Sequence, residues 1–272
     1  MKALPTDRKW PNALLAASST SDGRTDPVAV LGETDALIAV GKPAHLLIHP
    51  TKPGGPRTLW DELRELLSYE LATGGGISII NRLDRETSGA VLVAKSSAAA
   101  RECVEAMTRG EIQKSYLAIV MGWPDADGFV IDAPLRRAGE FCESEIWLKR
   151  AVHPDGSPAR TEAKVLFRGV HPAAGPVSLV RATPRTGRTH QIRVHLAHAG
   201  FPIVGDKIYG PDERLYLQFI ETGWTPELAA RLHLDRHALH SAEIGLTFRD
   251  EAFRWEAPLP ADLKEFLERA GH

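Results

Sequence analysis

Residues 79–89 read IINRLDRETSG and place a dense run of charge between two apolar segments, residues 77–80 and 90–94. Short apolar segments rich in Ile and Val are typical of strands that are covered on both faces. The charged run is then predicted to be a tight connection at the rim of a core. If the backbone stays extended there, Arg82 and Asp84 point to the same side and can share one cleft. The alternative interpretation is a solvated hairpin tip.

Residues 82–89 of this stretch resemble the signature loop of the RluA-type pseudouridine synthases. That family isomerises selected uridines in RNA by breaking the C–N bond between base and sugar and rejoining the base through carbon. The resemblance implies that Asp84 is the catalytic residue and that Arg82 helps to open the base stack or fills the vacated position. We also assign Arg85 and Thr87 of the same loop to substrate contact.

Two positions depart from the family's pattern. Asn81 stands directly before the signature loop, where many members have His. Residues 42–50 are similar to the family's first motif, although Gly41 stands where Asn is usual.

A second motif lies on a predicted strand over residues 114–120. Its residues 114–118, KSYLA, are similar to the family's second motif, and the resemblance implies that Tyr116 sits against the target base. An aromatic ring can pack face-on against a flipped pyrimidine, and its hydroxyl can hydrogen-bond or move a proton. The alternative is a half-buried strand aromatic without a chemical role.

A third block, residues 184–196, reads PRTGRTHQIRVHL and is similar to the family's third motif. Gly187 permits a sharp turn, Thr189 can cap a helix, and Gly200 can close it. A turn of this kind points free backbone N–H groups and Arg188 at an anion. A generic phosphate or sulfate site is the alternative interpretation.

The resemblance implies that a basic residue of this block pairs with the catalytic Asp. We assign that role to Arg188, with Arg193 as the second choice or as a phosphate contact. An Arg within a few ångströms keeps a carboxylate ionised in a desolvated cleft by lowering its pKa. We expect His190, Gln191 and Ile192 to contact the substrate as well.

The order of the motifs predicts the fold. The resemblance spans about residues 28–258 and implies an α+β catalytic domain over residues 27–272, with a largely antiparallel mixed sheet, flanking helices and a central cleft. Helices are predicted at residues 58–71 and 97–109. Residues 136–160 are predicted to be a long surface connection that could contact RNA. Residues 1–26 are expected to form a flexible or loosely docked arm, too short and polar for a separate RNA-binding module.

The net charge of the whole chain does not favour binding to RNA. The chain has 33 Lys and Arg against 35 Asp and Glu, a formal net charge of −2, whereas non-specific nucleic-acid binders are usually basic. RNA binding therefore requires that basic residues gather on one face. They do so in part, because residues 177–205 contain no acidic residue and include Arg181, Arg185, Arg188 and Arg193.

Composition also suggests where the protein works. Its two cysteines, Cys103 and Cys142, lack CxxC spacing, which is typical of a reducing compartment. The N-terminal residues lack the apolar core of a signal peptide, and no apolar run reaches membrane-spanning length. We expect a cytoplasmic monomer with no membrane partner.

Neither a metal nor a cofactor is expected. Histidines cluster at positions 190, 195 and 198 and at 233, 237 and 240, but no Cys lies nearby and no HExxH motif occurs. The sequence also lacks Walker-type and Rossmann-type phosphate loops and a GxSxG elbow. The isomerisation involves neither redox change nor an external nucleophile, so the resemblance implies no cofactor.

Two functions of other classes remain open. A nucleoside or glycoside hydrolase would also use Asp84 near a sugar, but it needs a second acid, for which Glu86 is the close candidate. Free uracil as a product would indicate this activity. The other alternative is an RNA-binding protein of the same fold that does not catalyse.

Overall fold

The computed structural model describes residues 27–271 and shows an α+β fold, as predicted. Its strands are β1 (Ala29–Glu33), β2 (Leu37–Lys42), β3 (Ser78–Ile79), β4 (Ser88–Ala94), β5 (Gln113–Met121), β6 (Gly128–Asp132), β7 (Leu135–Arg137), β8 (Arg150–Val152), β9 (Arg160–His171), β10 (Gly175–Pro184), β11 (Leu239–Phe248) and β12 (Glu251–Glu256). Its helices are α1 (Leu59–Leu66), α2 (Ser68–Ala72), α3 (Ser97–Thr108), α4 (Gln191–His198), α5 (Arg214–Thr222), α6 (Pro226–Leu232) and α7 (Ala261–Ala270), and a short 3-10 helix covers Ala138–Glu140. The arm predicted at residues 1–26 lies outside the described residues.

The large sheet has ten strands in the order β1-β2-β4-β11-β5-β10-β9-β6, with β3 paired to β4 and β12 paired to β11. Strands β4 and β11 are parallel, and the other pairs of the described sheet are antiparallel. The prediction of a largely antiparallel mixed sheet flanked by helices is confirmed. Within residues 27–271, no helix combines the length and the apolar character needed to cross a bilayer.

Strand β4 carries the apolar segment that follows the signature loop, and all seven of its residues are buried. Val91 and Val93 pack into the larger core cluster, whereas Leu92 packs in a second cluster beside α3. The strand is therefore covered on both faces, as its apolar run predicts. At its start, Gly89 has a φ of 112°, and a Cβ there would lie 2.1 Å from the carbonyl oxygen of Ser241. Glycine thus allows β11 to approach the end of the loop.

The helix predicted at residues 58–71 begins where expected and ends early. The backbone N–H and the hydroxyl of Thr58 donate to Asp61 Oδ2 at 2.9 and 2.7 Å. Leu67 then leaves the helical conformation, with φ of −104° and ψ of 29°, and separates α1 from α2. The second predicted helix is confirmed as α3.

We expect Thr58→Ala to lower the free energy of unfolding by about 1 kcal/mol, because it removes the capping hydroxyl. Thr58 is fully buried, whereas its partner Asp61 is half-buried, so water can solvate the carboxylate and keep the loss moderate. Thr58→Ser keeps the hydroxyl and should lose less, as measured by urea denaturation. Equal losses for the two variants would show that the methyl group matters and the hydroxyl does not.

The connection at residues 136–160 has structure of its own. Strands β7 and β8 form a two-stranded antiparallel sheet in which Arg137 lies opposite Arg150. Apolar residues at the base of this hairpin share a small core cluster with Val194 of α4 and with Tyr209. The β7–β8 hairpin is therefore docked against the segment that contains the third motif.

Candidate active site

Asp84 lies on the loop that joins β3 to β4. Asn81 holds the start of this loop, because its side-chain amide donates to Ala90 O at 3.1 Å and accepts from Leu92 N–H at 2.8 Å. The N–H of Thr87 closes the turn by donating to Asp84 O at 3.1 Å. Asn81 and Thr87 are buried, so the loop is not a solvated hairpin tip.

The end of the loop is fastened to the segment that leads into β11. Glu86 accepts from His237 N–H at 3.2 Å, and the Thr87 hydroxyl lies 2.7 Å from His237 Nε2. The Ser88 hydroxyl lies 2.9 Å from His240 Nδ1. We call these five residues the latch. Its two halves lie about 150 positions apart in sequence, so tertiary structure sets the position of the loop.

Arg193 of α4 joins Asp84 to a second carboxylate. Its Nη1 donates to Asp84 Oδ2 at 2.8 Å, and its Nε and Nη2 donate to Asp206 at 2.7 and 2.9 Å. The side chain of Asp206 is fully buried, that of Arg193 is 6% exposed and that of Asp84 is 28% exposed. Asp84 is thus the member of this triad that faces a cleft.

The predicted pairing of Arg188 with Asp84 is wrong. Arg188 is exposed, and its Nε donates to Pro158 O at 3.1 Å. The reason is local: His190 adopts a left-handed conformation, with φ of 57°, and α4 begins only after it. The predicted cap at Thr189 is therefore also wrong, and the chain turns so that Arg193 faces inward.

Asp84 is held in its ionised form. Burial raises the pKa of this carboxyl, but Arg193, His190 and His237 together outweigh burial, with Arg193 contributing both its charge and a hydrogen bond, so the pKa is lowered. His190 lies next to it, with Nε2 at 3.8 Å from Asp84 Oδ2. Burial and the charge of Arg193 lower the pKa of His190 to about 4, so the imidazole is neutral near pH 7.

The orientation of His190 follows from its other neighbour. Its Nδ1 lies 2.8 Å from the hydroxyl of Tyr209, which accepts from Arg150 N–H at 2.9 Å. The Tyr209 hydroxyl can therefore donate a hydrogen bond to His190 Nδ1. In that tautomer, Nε2 carries the ring proton and directs it toward Asp84.

Tyr116 shares the surroundings of Asp84. It is 8% exposed and lies on β5 between Ala182 of β10 and Ser241 of β11. Burial raises the pKa of Tyr116 to about 12, and the negative charge of Asp84 adds to that rise. The phenol therefore stays protonated at neutral pH, where it can pack or donate but cannot act as a base.

Two predicted substrate contacts have structural positions instead. Thr87 is 2% exposed and belongs to the latch. Gln191 is 4% exposed, and its amide donates to Arg160 O and to the Thr161 hydroxyl, both at 3.0 Å. Its side-chain oxygen also accepts the backbone N–H of Arg188 at 3.0 Å. Both side chains are buried and hydrogen-bonded within the protein, so the structure does not favour them as substrate contacts.

The other predicted contacts are compatible with the cleft. Arg82 is exposed, and Arg85 is exposed with its Nε at 3.4 Å from His45 O. Ile192 is 6% exposed and belongs to the large apolar cluster that also contains Tyr116. These three side chains remain candidates for contact with the substrate.

Sequence reasoning missed the buried lysine beneath the loop. Lys42 is 1% exposed, and its Nζ donates to Pro43 O at 2.7 Å, Leu46 O at 2.9 Å and Arg85 O at 3.1 Å. Burial and the charge of Arg236 lower the pKa of Lys42 to about 7, although Asp84 opposes this effect. Nothing in the first motif indicated this burial, because a Lys is almost never fully buried in a folded protein unless it is paired.

Asp206 and Tyr209 were also missed as parts of the site. Asp206 lies beyond the end of the third motif, and nothing in the sequence placed it beside Arg193. Its carboxylate also accepts the backbone N–H groups of Ile208 and Tyr209, both at 3.0 Å. These bonds turn the chain so that Tyr209 reaches His190.

We expect the protein to lose stability on acidification below about pH 6.5. Burial lowers the pKa values of His190 and His240 to about 4, whereas unfolded histidine titrates near 6.5. The folded state therefore binds fewer protons between these values, and stability falls as pH falls through this window. Melting temperatures measured at steps from pH 7 to 5 should decline, and less steeply in His240→Asn. A flat profile would contradict this assignment.

In the described part of the chain, no three His, Cys, Asp or Glu side chains converge as metal ligands. Four histidines of the two sequence clusters have other hydrogen-bond partners: His190, His195, His237 and His240. His195, for example, lies 2.9 Å from both the Thr161 hydroxyl and Ala133 O. These rings support the backbone around the site.

Comparison with known proteins gives a consistent result. A family model described as RNA pseudouridylate synthase matches residues 36–198. A protein of Chloroflexus aurantiacus, named an uncharacterized RNA pseudouridine synthase, is 41% identical over 235 residues, which cover 84% of this chain and 65% of that protein. Ribosomal large subunit pseudouridine synthase D of Nitrosomonas europaea is 34% identical over 247 residues, which cover 89% of this chain and 65% of that protein. The protein of the same name from Escherichia coli is 33% identical over 267 residues, which cover 94% of this chain and 74% of that protein. The chain thus spans about two-thirds of the length of the first two relatives.

Solved structures share the fold. Human RNA Pseudouridylate Synthase Domain Containing 1 matches with a TM-score of 0.67 at 24% identity, covering 88% of this chain and 86% of that one. Human RNA Pseudouridylate Synthase Domain Containing 4 matches with a TM-score of 0.67 at 23% identity, covering 89% and 92%.

Proposed function

The chain belongs to the RNA pseudouridylate synthase family, and from this we propose that it converts selected uridines of structured RNA to pseudouridine. The observation that carries the proposal is the state of Asp84. Its carboxylate is partly exposed at a cleft, kept ionised by Arg193 and accompanied by the buried phenol of Tyr116. A charged carboxylate in a desolvated cleft is poised to act on an electron-poor sugar or base.

In the proposed reaction, the target uridine first leaves its stack, since its glycosidic bond is inaccessible inside an RNA helix. The C–N bond to the sugar breaks, and the same sugar carbon then bonds to a ring carbon of the base. That ring carbon loses a proton and the freed nitrogen gains one, so the product is an isomer. Asp84 serves either as the nucleophile or as the base that removes a sugar proton, and both routes require it ionised.

The detached uracil must turn without escaping. Tyr116 can cover one face of the base, and Ile192 contributes an apolar wall from the same core cluster. Arg82 is exposed on the same loop as Asp84, and in the proposal it occupies the gap left in the RNA stack. Because the base is retained, no water molecule is consumed and no cofactor takes part.

We propose large-subunit ribosomal RNA as the substrate, because two of the relatives are named ribosomal large subunit pseudouridine synthase D. Transfer RNA is the second candidate. Both cysteines are free thiols, which supports a reducing compartment such as the cytoplasm.

A hydrolase is less well supported. Glu86 would have to donate a proton, but it accepts from Lys207 Nζ at 2.8 Å and from His237 N–H at 3.2 Å. Burial raises the pKa of Glu86, but His237 and Lys207 outweigh burial and the pKa is lowered well below its usual range. An ionised, fully bonded carboxylate is a poor general acid.

The proposal is tested by incubating the purified protein with unmodified transcripts of large-subunit ribosomal RNA and of transfer RNA. The RNA is digested to nucleosides, and pseudouridine and free uracil are both measured by mass spectrometry. We expect pseudouridine to accumulate in ribosomal RNA without free uracil. Free uracil would indicate the hydrolase, and RNA binding without either product would indicate a binding protein.

A further inference from the structure

An open hollow of about 540 Å³ lies between the β7–β8 hairpin and the turn that precedes α4. Four arginines line it: Arg136, Arg137, Arg150 and Arg188. Two acidic residues also line it, and one of them, Glu140, pairs with Arg136 at 3.0 Å and with Arg137 at 3.3 Å. The hollow therefore keeps a surplus of positive charge, although the whole chain carries a formal charge of −2. We call it the arginine hollow.

A tryptophan stands beside the arginine hollow in an unusual position. Trp147 is 73% exposed, far more than a large aromatic residue needs to be in a folded domain. The guanidinium carbon of Arg137 lies 3.7 Å from the centre of its ring. Arg137 thus covers and orients one face of the indole, and the rest of the ring is left open to a planar ligand.

The arginine hollow connects directly to the candidate active site. The backbone N–H of Arg150 donates to the Tyr209 hydroxyl, which contacts His190, and His190 lies beside Asp84. Arg188 precedes His190 by two residues and lies on the hollow's wall. An RNA strand that places its target uridine at Asp84 would therefore bring the phosphates of neighbouring nucleotides against these arginines.

We propose that the arginine hollow and Trp147 form a second RNA contact beside the cleft, an inference that rests on the proposed function. The arginines bind phosphate groups of the strand, because guanidinium groups match phosphate geometry with paired donors. Trp147 stacks on an unpaired base that flanks the target, since stacking on an aromatic ring is available to every base. The contact selects an RNA whose target uridine adjoins an unpaired nucleotide.

Binding of a short stem–loop RNA and of linear polyphosphate tests the two parts separately. We expect Arg150→Ala and Arg188→Ala each to weaken RNA and polyphosphate binding and to reduce the slope of log K against log salt by about 1. Trp147→Ala should weaken RNA binding by roughly 10-fold and leave polyphosphate binding unchanged, while Trp147→Phe retains most of the affinity. Thermal melts establish that each variant is folded.

Matched controls are Arg101→Ala and Tyr69→Ala, because both side chains are exposed and lie outside the hollow. Arginine variants that behave like Arg101→Ala would overturn the phosphate site. A Trp147→Ala protein that binds RNA normally, or that loses polyphosphate binding equally, would overturn the stacking site. If the wild-type protein binds RNA through these residues but forms no pseudouridine, the proposed function fails while this contact stands.

Discussion

Asp84→Asn is expected to reduce pseudouridine formation by about 10³-fold or more, the order attributed to loss of a catalytic acid or base. Asparagine has nearly the same shape and can still accept a hydrogen bond from Arg193. It carries no negative charge, however, and can neither attack the sugar nor remove a proton. Single-turnover assays with saturating protein measure the chemical step without interference from product release.

RNA affinity supplies the control for this variant. Asp84 contributes little to binding in the proposal, so Asp84→Asn should bind RNA within a few-fold of the wild type. Asp125→Asn is a matched change at an exposed carboxylate and should leave the rate unaltered. Substantial activity in Asp84→Asn would remove Asp84 from the mechanism.

Arg193→Met is expected to lower the free energy of unfolding by about 3–5 kcal/mol, the range found when one partner of a buried ion pair is removed. Asp206 would remain fully buried without its bidentate partner. Activity should fall as well, because the pKa of Asp84 rises when Arg193 is absent. Urea denaturation followed by circular dichroism measures the change in stability.

Two further proteins make this experiment specific. Arg193→Met with Asp206→Leu removes both charges of the buried Arg193–Asp206 pair and should recover part of the lost stability, which a double-mutant cycle quantifies. Arg185→Met breaks an exposed pair with Glu162 and should change stability little. Wild-type stability in Arg193→Met would mean that Asp206 is protonated and the triad is not ionic.

Local patterns in the sequence predicted the framework of the site well. The apolar run after the signature loop indicated a strand buried on both faces, and β4 is such a strand. Thr58 and Asp61 indicated the start of α1, because a capping interaction involves neighbours in sequence. Features of this kind depend on short-range geometry, which the spacing of residues expresses directly.

The partner of Asp84 could not be predicted in the same way. Arg188 and Arg193 lie five residues apart, and the left-handed conformation of His190 determines which of them faces the cleft. Non-glycine residues adopt this conformation infrequently, and the pattern of apolar residues does not indicate where it occurs. The latch escaped prediction for a different reason, because it joins residues about 150 positions apart.

The position of β11 has a consequence for biosynthesis. This strand pairs with β4 on one side and with β5 on the other, yet it follows both in the chain. A nascent chain that ends before residue 237 holds two unjoined half-sheets with open edges, which are prone to aggregate. It also lacks the histidines that fasten the loop of Asp84. We therefore expect the chain to become active only after β11 has been synthesised. Two fragments divided between α6 and β11 should each be inactive and should regain activity when they are mixed.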